Sequence, residues 1–324
     1  MNNSEELNTI LKNFTDKLVD INNYQSFIKN STKRSLEFYH DQLEKQKAFN
    51  IDGLGDFNSF MCRNIETGEH IHLGYNENSL EDLMRTVQLH NNKQYQWLLV
   101  EAYELFEDYI DDLFAFIGFK DHTFWPAKDF GNVSIDELKD KELKWFEQKV
   151  EEKKGKPESI FKQIRLKIKT LNLLDKTNAL GVDFVFKIIL ISKLRHIIVH
   201  NRGVVKDLEK FTELIFKEMG LAISGQKSQQ YKNDILFYIG EFANENFVLL
   251  LEYEYKIHEK FPLRTYHDRL GKLIEELASY AILLKALSER YLSGMVNWEK
   301  MMKDPEEYKK FFASSDLYKY LRYS

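Results

Sequence analysis

The chain has 324 residues, 43% of them hydrophobic, with a formal net charge of −5. That apolar content can bury a sizeable core and excludes a disordered chain, while the negative balance excludes a protein that coats nucleic acid over its whole surface, so any such contact is local. Its 4 prolines and 14 glycines favour helices over a turn-rich β fold, and one cysteine, Cys62, can form neither an internal disulfide nor a multi-cysteine zinc site.

The polar, acidic start Met1–Glu6 does not read as a signal peptide. With the lone cysteine it points to a cytoplasmic location. Ser4 can cap a first helix with Leu7, Ile10, Leu11, Phe14, Leu18, Val19 and Ile21 at helical spacing, and a second helix is expected over Ser31–Ala48. The pattern breaks at Asp52–Asp56. A small hairpin is expected within Ser59–Tyr75, turning at Glu66-Thr67-Gly68-Glu69; it is the one β signal in the chain. Ser79 reads as an N-cap of a helix to about His90, where Asn91-Asn92 loosens the chain. Gln94–Ile117 is a strong helix with Trp97, Leu98, Ala102, Leu105, Phe106, Tyr109, Ile110, Leu113 and Phe114 on one face and Glu101, Glu104, Asp108 and Asp111 on the other.

Asp121–Gly131 is expected to be a loop. Helices are expected over Ser134–Lys153 and Glu158–Leu174, the second carrying Lys162, Arg165, Lys167 and Lys169. Gly181 leads into a central helix ending at Asn201-Arg202-Gly203. Further helices are expected over Asp207–Met219, Asp234–Glu259 and Tyr266–Leu292, with a polar loop over Ser224–Asn233 and short helices around Pro305–Phe312 and Ser315–Leu321. The reading is an all-α protein in three parts: N-terminal helices with an irregular or hairpin insertion (1–78), a helical core (79–260) and a C-terminal helical extension (261–324). The apolar run Val182–Val199 carries too many polar and charged residues for a membrane span.

That run ends in Lys193, Arg195, His196, His200, Asn201 and Arg202. Cationic groups at the end of a buried helix cost desolvation energy unless they are paired or open onto a cleft, and a cleft so lined suits an anion such as a phosphodiester. Spacing alone does not single out Arg195 and His200, because Arg34/His40, Arg63/His70 and Arg85/His90 also fit four to six intervening residues. Support does. Arg34/His40 lies on a highly charged helix, Arg63/His70 straddles the hairpin turn, and Arg85/His90 ends in Asn91-Asn92. Arg195/His200 sits on the most apolar helix, where Ser192, His196 and His200 form a stripe of i, i+4 spacing. A metallopeptidase would need Glu at position 197, which is Ile. Neither a glycine-rich phosphate loop nor a Gly-x-Ser-x-Gly elbow is present.

Arg195-His196-Ile197-Ile198-Val199-His200-Asn201 resembles the signature of the HEPN superfamily: Arg, a polar residue, a short spacer, then His. The helix Trp97–Glu107 resembles the early HEPN helix in which a glutamate follows an aromatic residue, a position matched by Glu104 after Tyr103. The resemblance covers about residues 80–260. It implies a helical bundle that pairs through the motif helix as a homodimer. It also implies a metal-independent endoribonuclease without cofactor, of the kind used as toxins or in phage defence, with a neutralising or activating protein as a conceivable partner. Members that have lost catalysis imply the alternative, an adaptor binding nucleic acid, nucleotide or protein.

The chemistry of these groups fits the first implication. RNA carries its own nucleophile, the 2′-OH, so cleavage needs a base, an acid and cations. His200 would transfer protons and Arg195 would stabilise charge on phosphorus. His196 and Asn201 would orient the phosphate or His200, and Glu104 would hold Arg195 or His196. Arg202, Lys193, Lys162, Arg165, Lys167 and Lys169 would bind the RNA strand.

Overall fold

The computed structural model describes residues 3–50, 55–153, 155–221, 226–242, 244–255 and 265–294. The chain is predominantly helical, with three small two-stranded sheets among the described residues. Helix α1 runs unbroken from Asn3 to Phe49. The sequence reading had divided this stretch in two. No glycine or proline falls inside it, and its exposed Asn and Ser positions each cost only a few tenths of a kcal/mol of helix propensity. Leu7, Phe14, Leu18, Ile21 and Ile28 are buried, while Val19, assigned to the same face, is exposed. Strands β1 (Gly55–Arg63) and β2 (His70–Ser79) form the expected antiparallel hairpin, longer than expected, and turn through Thr67-Gly68.

Helix α2 (Leu80–Lys120) begins with Ser79 as N-cap in a reciprocal capping box with Asp82. It too is continuous where a break was expected. Asn92 is buried: its side chain donates to Val248 O at 2.9 Å and accepts from Leu250 N at 2.8 Å. An amide with both ends satisfied in this way joins the helix to a distant strand and leaves the helical backbone intact. Most of the expected apolar face of α2 is buried; Leu105 is only partly so, and Trp97 is 59% exposed.

A 3₁₀ turn (Ala127–Phe130) occupies the expected loop. The two helices expected next are each broken: α3 (Ile135–Leu138) and α4 (Leu143–Glu151), then α5 (Glu158–Lys167) and α6 (Lys169–Leu174). Helix α7 (Phe184–Asn201) is capped by Asp183, which accepts from Phe186 N and from the Tyr231 hydroxyl. It buries Phe184, Phe186, Ile188, Leu190, Ile191, Leu194 and Ile198. Helix α8 (Leu208–Met219) follows as expected, with Asp207 as N-cap.

The largest correction lies downstream. Helix α9 (Gln226–Leu236) occupies a stretch read as loop, and the long helix read from Asp234 is replaced by strands β3 (Ile239–Phe242), β4 (Glu245–Val248) and β5 (Tyr253–Tyr255). Gly240 admits a close neighbour within β3, and Asn244 takes the turn. A Cβ at Gly240 would sit 2.9 Å from the Leu249 side chain, and Asn244 adopts a left-handed φ of 64° between β3 and β4. Strand β6 (Thr265–His267) pairs with β5 ahead of helix α10 (Arg269–Ser293), capped by Asp268. Helices expected beyond residue 300 lie outside the described residues. One core joins α1, α2, α7 and α10, so apolar side chains from both ends of the described chain pack with the central segment.

Candidate functional site

Helices α2 and α7 run antiparallel across this core, and two contacts set their register. Arg195 Nη2 donates to Glu104 Oε1 at 3.0 Å. At the other end, Gly203 packs against the Gln96 side chain, and a Cβ there would lie 2.6 Å from its amide. Gly203 has φ +83°, and Arg202 before it closes α7 in the left-handed conformation at φ 57°.

The end of α7 is further tied to β4. Val248 N donates to Gly203 O at 2.8 Å, and Val248 O accepts from Asn92 and from Gln96 Nε2, the latter at 2.6 Å. Val205 N donates to Asn246 O at 2.7 Å. The motif therefore sits on a helix end held on two sides by buried hydrogen bonds. The sequence reading missed Asn92 and Gln96 because both partners lie about 150 residues away.

The expected site residues divide by direction. Arg195 turns toward α2. Its Nε is buried without a hydrogen-bond partner, and it lies within electrostatic reach of Glu107. Glu107 is pushed up from the ordinary carboxylate value first by burial, with Arg195 opposing and Asp111, Glu104 and Glu158 reinforcing. Tyr103 is buried beneath this pair, its hydroxyl near Ser192 and pushed up chiefly by desolvation.

His196 and His200 turn to the open surface, with ring centroids 4.5 Å apart and planes tilted by 48°. The His196 imidazole is held below its usual value, first by desolvation and then by His200, Lys193 and Arg195. Such an imidazole is neutral, and so a proton acceptor, over a wider range of pH. Asn201 is half-buried and Arg202 exposed.

The surrounding cations do not act as one set. The Lys193 ammonium is bound by Glu218 of α8. Arg165 belongs to the interior: its Nε donates to Asp175 Oδ2 at 2.6 Å, its Nη2 to the Tyr280 hydroxyl at 3.2 Å, and that hydroxyl donates to Asp175 Oδ1 at 2.7 Å. A guanidinium so occupied is not offered to a phosphate. Lys162 and Lys169 are exposed and Lys167 half-buried, and the break at Ile168 puts Lys169 on a different helix from the other two.

Among the described residues, no group of three or more His, Cys, Asp or Glu side chains is placed to hold a metal ion. Among the same residues, no helix is long and apolar enough to cross a membrane. Two cavities stand apart from the motif, one of about 350 Å³ at the hairpin base and one of about 80 Å³ between α7 and α10. Comparison with protein-family models, with curated proteins and with solved structures found no match.

Proposed function

We propose that the protein is an endoribonuclease of HEPN type whose working centre is the exposed end of α7, paired with the same surface of a second copy. The observation that carries this reading is the juxtaposition at that end: two exposed imidazoles in ring contact, beside an arginine that a glutamate of α2 holds. One imidazole takes the 2′-OH proton as the 2′ oxygen bonds to phosphorus, and a second imidazole gives a proton to the departing 5′ oxygen. The 2′,3′-cyclic phosphate and the 5′-OH account for every atom and proton. His196, held below its usual value, suits the acceptor role, and His200 the donor role. A twofold mate would bring further imidazole and guanidinium groups to the same phosphate. Asn201 and Arg202 would orient the strand.

The test is incubation of the wild type, His200→Ala and Glu104→Ala with total RNA in EDTA, followed by end-group analysis. Cyclic-phosphate ends from the wild type, lost in His200→Ala, are the expected result; unchanged cleavage by that variant refutes the assignment. Glu104→Ala removes a half-exposed pair that contributes about 0–1 kcal/mol to stability. It should therefore lose cleavage while keeping its fold.

A second reading, a non-catalytic adaptor that binds nucleic acid, nucleotide or protein at this surface, is favoured by one detail. Arg195 is engaged by Glu104, and its buried Nε cannot fork onto a phosphate without moving. RNA binding without end-group formation would select it.

A further inference from the structure

Helix α1 changes character where it leaves the core: beyond Ile28 it buries no side chain. A helix owes most of its stability to the face it packs, so the surface of this stretch matters. From Tyr24 onward, α1 exposes four large apolar residues: Tyr24, Phe27, Phe38 and Phe49, by 61, 69, 58 and 72%. Scattered exposed rings are ordinary, but these four fall on one line. Ser31, Arg34, Asp41 and Lys45, also exposed, fill that line, which advances from Tyr24 to Phe49 in steps of three and four residues. Such steps are the repeat of a seam between two helices. Off the line, every exposed residue between Tyr24 and Phe49 except Ala48 is polar.

The order of residues along the line fits a second copy running the opposite way. Turned about a point between Arg34 and Phe38, the line meets itself as Tyr24 with Phe49, Phe27 with Lys45, Ser31 with Asp41 and Arg34 with Phe38. Each cation then faces a ring, which attracts it, and no two like charges meet. A parallel copy would set Arg34, Asp41 and Lys45 each against itself, and like charges so placed repel. At about 150–250 Å² for a buried aromatic side chain, the four rings still expose roughly 400–650 Å². The stems of Arg34 and Lys45 bring this near the ~800 Å² that each partner buries in a stable pair.

We propose that this face of α1 is a self-association surface, which takes the same face of a second copy antiparallel about a twofold axis near residue 36. It shares no residue with the end of α7 and stands whether or not that end cleaves RNA. A residue beside the axis lies next to its own counterpart, whereas one near the end of the seam lies about 40 Å from it.

The experiment uses full-length protein carrying Cys62→Ser, which removes the single cysteine, together with Glu37→Cys or Asn23→Cys, both at exposed positions. A short bis-maleimide joins cysteines of adjacent copies, and the two-chain product is followed against protein concentration. Glu37→Cys should link to itself and Asn23→Cys should not. Adding Phe38→Asp to Glu37→Cys should raise the half-linking concentration on the order of 30-fold or more, the loss of an aromatic anchor. Ser31→Lys, set against Asp41, should lower that concentration and Ser31→Asp should raise it, each on the order of 2- to 5-fold. Circular dichroism confirms that each variant is folded.

Absence of two-chain product from Glu37→Cys overturns the proposal. Equal linking by Asn23→Cys also does so, because it means a parallel pair. So does a half-linking concentration that Phe38→Asp leaves unchanged, because the copies then meet elsewhere. A protein that does not link, but whose binding to anionic vesicles is lost in Phe38→Asp, makes the line a lipid-facing surface and overturns the proposal as well.

Discussion

The two ends of the long α1–α2 pair are built differently. At one end, α1 up to Ile28 and α2 from Asn92 onward bury side chains turn after turn against α7 and α10. At the other, residues 29–49 of α1 and 81–91 of α2 bury none, and the β1–β2 hairpin beyond them is exposed on both faces. The four Arg/His pairs of the sequence divide between these ends. Arg63 and His70 face each other across the hairpin, with Nε donating to Nε2 at 3.4 Å. Arg85 pairs with Asp82, and Arg34 and His40 stand in solvent. Only Arg195 and His200 are anchored in the core. Proximity of an arginine to a histidine is thus common in this chain, and a rigid mounting for the pair is what sets one apart.

The largest test of this contrast is Asp175→Ala. It leaves the Arg165 guanidinium and the Tyr280 hydroxyl without their interior acceptor, and a broken buried pair of this kind costs about 3–5 kcal/mol. Urea denaturation should show that loss, whereas Arg63→Ala on the hairpin should stay within about 0.5 kcal/mol of the parent. Equal effects would mean that the two ends are supported alike.

Asn92→Ala is the next in size. It orphans the Leu250 amide and removes one of two donors to Val248 O, an expected cost of about 1–3 kcal/mol. Because the same belt holds the end of α7, amide exchange should quicken around Gly203 and Val205 more than around α10. Uniform quickening would deny the belt its local role.

The smallest effect is a pH dependence. Burial, reinforced by Glu147, Asp108 and Asp111, pushes the Asp112 carboxyl up to about 6, with Lys17 opposing. The folded chain then keeps a proton that the unfolded chain gives up near pH 4, at the ordinary carboxylate value. Stability from this group is therefore full below about pH 4 and declines as pH rises through about 6. Asp112→Asn should raise Tm slightly above pH 6 and leave it unchanged below pH 4. The shift is small because the side chain is exposed, so solvent screens it. An equal slope of Tm against pH in the two proteins would contradict it.

Local chemistry made much of the fold legible in the sequence. Ser79 and Asp207 cap their helices, Thr67-Gly68 turns the hairpin, and the unbroken apolar run before Arg195 is a buried helix, because each depends on residues within a few positions of one another. The resemblance offered Glu104 as a partner for Arg195 or His196, and the fold brings it to Arg195.

Tertiary structure alone decided the rest. Asn91-Asn92 looks like a helix breaker until Val248 and Leu250 arrive to satisfy its second amide, and residues 239–255 carry enough apolar character to pass for a helix until β4 docks on the end of α7. Trp97 fits an apolar helical face by period, yet it stands 59% exposed among the described residues. Periodicity records what a segment can bury. Which face is buried, and which polar atoms find partners, depends on chain brought from more than a hundred residues away.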